Sequence, residues 1–265
     1  MRNIPHPSRG EPLAVIRLGV DVPYEQAWSL QRRVHGLRVD GKAPDCCLML
    51  EHAPVYTAGR RTRPDERPAD GTPVVETDRG GRMTWHGPGQ LVGYPIVKLT
   101  PPRDAAAYVR LLETALIAVC ADFGVAAGRV PGRWGVWALG DPRDGRPARM
   151  LAAIGIRVSR GVTMHGFSLN CANDLRWYDR IVPCGVPGTQ VSSLSAETGR
   201  RIVVDEVMPV AEKRLAEALG AEPFDMHEED LLGGDLLRPR WTPPPRLLPD
   251  LSGVTGAVRR ISGGA

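Results

Sequence analysis

Apolar and polar positions change period repeatedly along the chain, and the changes mark out strands and helices in alternation. Residues 13–19 (LAVIRLG) are an apolar run closed by glycine and predict a first strand. Asp21 and Pro23 then open a helix with Ala27, Leu30 and Val34 on one face, expected to stop at Gly36. Residues 46–51 (CCLMLE) read as a buried strand, and the runs 72–78 (TPVVETD) and 93–99 (GYPIVKL) as strands on either side of a glycine-rich loop at 79–90. Asp104 caps the clearest helix, 105–123, in which Val109, Leu112, Leu116, Val119, Cys120 and Phe123 recur at helical spacing as far as Gly124. Beyond a loop with a short strand at 135–139, the runs 151–158 and 162–170 predict two strands turned by Ser159 to Gly161. Alternation in the second run puts His165 on one face with Thr163, Phe167 and Leu169. Residues 171–200 look irregular, and a helix follows from Val204 to Leu219, with Pro209 compatible only with a first turn.

This order of elements predicts an α/β protein. Its body is expected over residues 12–235, between a polar arm at 1–11 and a Pro/Gly/Arg-rich tail at 236–265 that is expected to be disordered. The formal net charge is +4, and five arginines against one aspartate after Leu237 account for all of it. A neutral body does not suit nucleic acid as a partner. The five cysteines are odd in number and form no CxxC pair, which fits reduced thiols. With no apolar signal core at the start and no run of 18 apolar residues, the expectation is a cytoplasmic protein without a membrane partner.

The segment RGGRMTWHGPGQ, Arg79 to Gln90, concentrates the candidate chemistry. Its glycines permit close backbone approach to a ligand, Arg79, Arg82, His86 and Gln90 supply donors, and Thr84 and Trp85 can line an apolar slot. It lacks both GxxxxGK[ST] and the GxGxxG spacing, so neither familiar phosphate motif is present. Cys184 stands between Pro183 and Gly185, where the backbone must turn, and is a candidate nucleophile. His52, His86 and His165 are too scattered to indicate a metal site, and none of the serines at 192, 193 and 195 has the GxSxG elbow.

Several separated stretches resemble the octanoyltransferases of protein lipoylation, in the same order. They are EHAPVYTAGR at 51–60, TDRGGRMTWHGPGQLVGYP at 77–95, GVW at 135–137, AAIGIRVSRGVTMHGFSLN at 152–170, and IVPCGV at 181–186 with SSLSAETG after it. The resemblance implies a single mixed-sheet α/β domain similar to the catalytic domain of biotin- and lipoate-protein ligases. It implies that Cys184 takes an octanoyl group from the phosphopantetheine thioester of acyl carrier protein as a thioester acyl-enzyme. The group then passes to a lysine of a lipoyl domain of 2-oxoacid dehydrogenase complexes or of glycine-cleavage H protein, with no cofactor or metal. The acyl pocket falls on Arg79, Gly80, Gly81, Arg82, Met83, Thr84, Trp85, His86, Ala153, Ile154, Gly155, Gly166, Phe167 and Ser168. Where the family carries a lysine that lowers the thiol pKa and moves protons, this chain has Met150. Reduced activity is therefore expected, unless His86 or His165 serves in proton transfer. A non-catalytic member that binds acyl chains or acyl carrier protein, and an ATP-dependent lipoate-protein ligase, are the alternatives.

Overall fold

A computed structural model of the chain describes residues 12–140 and 145–232. In chain order the elements are β1 (Leu13–Val22), α1 (Tyr24–Val39), β2 (Asp45–His52), β3 (Val55–Ala58), β4 (Val74–Glu76), β5 (Thr84–His86) and β6 (Gln90–Ile96). They continue with α2 (Ala105–Asp122), β7 (Ala127–Val130), β8 (Arg133–Ala138), β9 (Arg149–Ser159) and β10 (Val162–Asn170). The last are β11 (Gln190–Val191), α3 (Leu194–Thr198), α4 (Val204–Leu219), β12 (Pro223–Asp225) and α5 (Glu228–Leu231).

Among the described residues nine strands form one mixed sheet in the order β12-β1-β2-β6-β10-β9-β8-β7, with β11 added beside β9. The β12, β1 and β2 pairings are parallel, as is β11 with β9, and every other pairing along the sheet is antiparallel. A smaller sheet, β4-β3-β5, is separate in its hydrogen bonding and shares a core with β8 and β9 through Trp137 and Met150. One face of the main sheet is covered by α2 and α4 over a core that includes Leu112, Leu116, Val207 and Leu215. The other face is covered by α1 and α5 through Ala27, Val34 and Leu231. Each face of the sheet is thus buried under helices, which is why β2 and β6 read as nearly unbroken apolar runs.

The helix caps follow the sequence. Asp104 accepts from the Ala106 and Ala107 N–H groups at 2.9 and 3.1 Å, a cap that contributes about 1 kcal/mol. Three expectations are corrected. Helix α1 runs through Gly36 to Val39, because Gly36 keeps helical backbone in open space and the helix ends instead at Asp40. Pro209 lies inside α4, beyond its first turn. It is tolerated because the proline and Asp205, whose carbonyl loses its partner, are both exposed to water. The stretch 79–90 is not all loop, since β5 pairs antiparallel with β3 inside it. The tail beginning at 236 and the arm 1–11 lie outside the described residues. No described helix is long and apolar enough to cross a membrane.

Candidate active site

Three segments distant in sequence meet over β9 and β10. Strand β4 leads into the glycine-rich segment, where the Gly80 N–H donates to Ile156 O at 2.8 Å and fastens the segment to β9. The segment 181–191 closes over it. Val182 N–H donates to Glu66 O at 3.3 Å, Cys184 N–H donates to Met83 O at 3.2 Å, and β11 then pairs Val191 with Met150. The consequence is that Cys184 Sγ lies 3.4 Å from Met150 Sδ.

Cys184 has left-handed backbone (φ +56), a conformation non-glycine residues adopt at a cost of about 1 kcal/mol or more and one that recurs at functional sites. Gly185 follows at φ +68, and a Cβ there would stand 1.9 Å from Arg82 Cδ. Arg82 in turn is fixed by the buried carboxylate of Glu66. The turn that presents the thiol is therefore held by its own backbone bonds and packs on an arginine paired with a buried carboxylate.

The thiol opens on a cavity of ≈ 500 Å³. Of the residues singled out in the sequence, Arg79, Gly80, Gly81, Arg82, Met83, Thr84, His86, Ala153, Ile154, Gly155, His165, Gly166, Phe167, Ser168 and Cys184 line it. Met150 is not part of the lining and touches the thiol from the small-sheet core, where it is fully buried. Trp85 does not line it. Alternation along β5 sends Thr84 and His86 to the cavity and Trp85 to the other side, stacked on Trp177 at 5.6 Å between ring centroids. The glycines do not themselves form a groove for an alkyl chain. A Cβ on Gly166 would meet Gly93 O at 2.2 Å, and one on Gly155 would meet Gly80 O at 2.9 Å and Arg79 Cδ at 3.2 Å. They allow neighbouring backbone to close in, and the apolar wall comes from Met83, Ile154, Phe167, Val109 and Trp134.

Burial pushes the Cys184 thiol up to about 11, against the pull of the Arg79 guanidinium. Arg79 is buried and donates from Nη2 to Thr57 O and Oγ1 at 2.9 and 2.8 Å, and from Nη1 to Gly80 O at 3.1 Å. Tyr24 and Tyr94 adjoin it, and Tyr94 Oη is 2.7 Å from His52 Nε2. His52 Nδ1 faces Val22 O at 2.8 Å and must carry the proton, so Nε2 accepts from Tyr94. Burial lowers His52 to about 4.

His86 and His165 differ in what holds them. Gln90 Nε2 donates to Trp85 O, Asn170 Oδ1 and Tyr178 Oη, which fixes its Oε1 toward His86 Nδ1 at 2.8 Å. His86 therefore carries its proton on Nδ1 and leaves the Nε2 lone pair near Thr57 Oγ1, at 3.5 Å. Burial, with the neighbouring His52, holds His86 well below the usual histidine range. His165 does not share the face of Thr163 and Phe167. Its φ of +57 turns the ring to the α1 side, against Trp28, and its N–H donates to Gln31 Oε1 at 2.9 Å. His165 Nε2 meets Asp78 Oδ1 at 2.7 Å, and its buried Nδ1 has no hydrogen-bond partner. Burial outweighs Asp78 and lowers His165 to about 4.

Sequence reasoning missed Tyr24, Tyr94, Val109, Trp134 and Trp137, which also line the cavity. Trp137 and Tyr94 lie within the GVW and 77–95 stretches that carry the resemblance, and Val109 was read only as a core position of its helix. Among the described residues no group of three or more His, Cys, Asp or Glu side chains could hold a metal ion.

A mixed sheet of this order with helices on both faces is the fold of the lipoate-protein ligases. A bipartite lipoate protein ligase of Thermoplasma acidophilum matches with a TM-score of 0.64 at 14% identity, covering 84% of this chain and 91% of that one. Lipoate-protein ligase A bound with ATP matches at 0.59 and 12%, covering 84% and 92%. Residues 23–216 match the family model of the lipoyl protein ligase A/B catalytic domain. The octanoyltransferase of Acidothermus cellulolyticus is 62% identical over 205 residues, 77% of this chain and 91% of that protein. The octanoyltransferase of Mycolicibacterium smegmatis is 55% identical over 222 residues, 83% and 96% of the two chains. The chain belongs to the lipoyl protein ligase A/B family and, within it, to the octanoyltransferases, acyltransferases of lipoate biosynthesis.

Proposed function

We propose that the chain carries an octanoyl group on Cys184 between an acyl carrier protein and a lysine of a lipoyl domain or H protein. The observation that carries this reading is the placement of Cys184: a thiol on left-handed backbone, opening on a cavity with an apolar wall and a buried guanidinium. In the first half-reaction Cys184 Sγ attacks the thioester carbonyl. The new S–C bond forms as the donor's C–S bond breaks, and the phosphopantetheine thiol leaves with the proton given up by Cys184. In the second, a lysine amine attacks the acyl-enzyme, the amide C–N bond forms, and the sulfur departs and recovers a proton from the amine. Exposed Arg61 also lines the cavity, which suits the phosphodiester of the donor arm. No nucleotide or metal enters, because the acyl group arrives activated.

Met150 bears on the rate. A thioether beside Sγ adds bulk and no charge, so the thiol keeps its high pKa and acylation is slow. His86, with its Nε2 lone pair and a cavity-lining position, is the proton acceptor for the amine that this geometry favours over His165, whose ring is tied to Asp78.

The test is the intact mass after incubation with octanoyl-acyl carrier protein, using Cys184→Ser as control. A hydroxylamine-labile octanoyl adduct that forms slowly, vanishes in the control and forms faster in Met150→Lys is expected. An adduct that persists in Cys184→Ser would overturn the assignment. Absence of an adduct in both the unaltered chain and Met150→Lys would instead favour a protein that binds acyl groups without transferring them.

A further inference from the structure

His52 is buried at the end of β2 and does not line the cavity, yet an unbroken line of hydrogen bonds joins it to Arg79, which does. Its Nδ1 donates to Val22 O and its Nε2 accepts from Tyr94 Oη. Tyr94 also hydrogen-bonds Tyr24, and Tyr24 hydrogen-bonds Arg79. The direction of every link follows from the Val22 end. A main-chain carbonyl only accepts, so Nδ1 holds the His52 proton, and burial keeps Nε2 free of a second one. Tyr94 gives its single proton to Nε2 and so accepts from Tyr24. Tyr24 gives its own to Tyr94 and accepts from Arg79, which only donates. Both phenols stay protonated, because burial pushes Tyr24 up to about 12 and Tyr94 well above its usual value.

The line therefore presents an oxygen lone pair to the guanidinium from the wall opposite its other partners. Thr57 on β3 and Gly80 in the glycine-rich segment hold Arg79 on one side, and Tyr24, the first residue of α1, holds it on the other. Arg79 is the cation that pulls the Cys184 thiol down against its burial. Without an acceptor at Nε2 the Tyr94 proton turns back on Tyr24, the two hydroxyls compete, and the grip of α1 on the cation is lost. We propose that His52 is a positioning residue for the thiol, holding the Arg79 guanidinium in place beside Cys184 through Tyr94 and Tyr24. The inference rests on Cys184 as the nucleophile of the proposed function and adds to it a residue that touches neither the thiol nor the cavity.

The test is the pH profile of Cys184 alkylation by iodoacetamide, read by intact mass, in the full chain and in His52→Phe, Tyr94→Phe and Arg79→Gln. A cation beside a thiol lowers its pKa by about 1–3 units, and the reactivity of the thiolate follows about half of any change. Losing about 1 unit of that pull raises the midpoint by about 1 and slows alkylation below it about threefold. His52→Phe and Tyr94→Phe are each expected to show this shift, and His52→Phe is expected to add nothing in an Arg79→Gln background, because the two residues act along one line. His52→Gln, which keeps an acceptor for Tyr94, is expected to restore the midpoint. A folded His52→Phe whose Tm falls while its midpoint stays, or whose shift persists in Arg79→Gln, would overturn the proposal and leave His52 a packing residue. Tyr94→Phe removes one oxygen and keeps the ring, so an unmoved midpoint there overturns it even if the other variants do not fold. The proposed function fails separately: shifted midpoints in a protein that forms no octanoyl adduct on Cys184 would uphold the role of His52 and remove the acyl transfer.

Discussion

Replacing Met150 by lysine puts an ammonium group within reach of the thiol, because the present side chain already brings its Sδ to 3.4 Å from Cys184 Sγ. With the thiol at about 11, only about one molecule in 3,000 is thiolate near pH 7.5. An opposite charge within about 4–6 Å lowers such a pKa by about 1–3 units; a shift of about 2 raises the thiolate fraction roughly 100-fold. The stabilised thiolate is a weaker nucleophile, with reactivity following about half of the pKa change, so the net gain near neutral pH is about tenfold. The assay is the rate of iodoacetamide alkylation of Cys184, read by intact mass across a pH series. The other four cysteines are buried and their thiols pushed up by that burial, so they stay silent. A midpoint in Met150→Lys that does not fall would refute the argument that residue 150 sets the thiol's ionisation.

Three further outcomes follow from the same geometry. His52 and His165 are lowered to about 4 and His86 is also lowered, so between the unfolded value near 6.5 and the folded values the unfolded chain binds protons that the folded chain refuses. Stability is therefore full above about pH 6.5 and falls as pH drops toward about 4, by up to about 4 kcal/mol per pH unit when all three contribute; urea midpoints that stay level over that window would count against it. Gly166→Ala drives a Cβ to 2.2 Å from Gly93 O and forces β6 from β10, an overpacking cost of about 3 kcal/mol or more, measurable as a lowered Tm. Gln90→Leu strands the His86 Nδ1–H and costs about 1–3 kcal/mol, and it frees the ring to change tautomer, so the pH profile of acyl transfer should shift as well as the Tm.

The periodic elements were legible because their apolar positions face a core. The helix at 204–219 and the strand at 162–170 begin and end where the pattern put them, and the strands at 46–51 and 151–158 are extended by only a residue or two at either end. The strand after the glycine segment was shifted, starting at Gln90 and ending at Ile96, because the local run does not reveal the hydrogen bonds that begin at Gln90. Strands β11 and β12 are only two and three residues long and owe their form to partners far away in sequence, which no local pattern reveals. In the site, the glycine-rich segment and the Pro-Cys-Gly turn stood out through composition. The orientation of His165 did not, because a single left-handed residue reverses the alternation from which its face was inferred. Trp85 was misplaced for the opposite reason: a segment expected to be loop contains a strand whose alternation sends the indole inward, away from the cavity.

The pairing of β11 with β9 has a further consequence. The backbone of residue 150 is held on both edges of β9, by the Trp137 pairing in β8 and by β11, where Val191 pairs with it and the Ser192 N–H donates to Met150 O at 2.9 Å. None of these bonds involves the side chain, so the address of position 150 relative to the thiol is written in main chain alone. One side chain can then be exchanged there as a tool is changed in a fixed chuck, with the nucleophile, cavity and loops keeping their places. The role proposed for position 150 in the thiol's ionisation is therefore separable from the architecture that holds it.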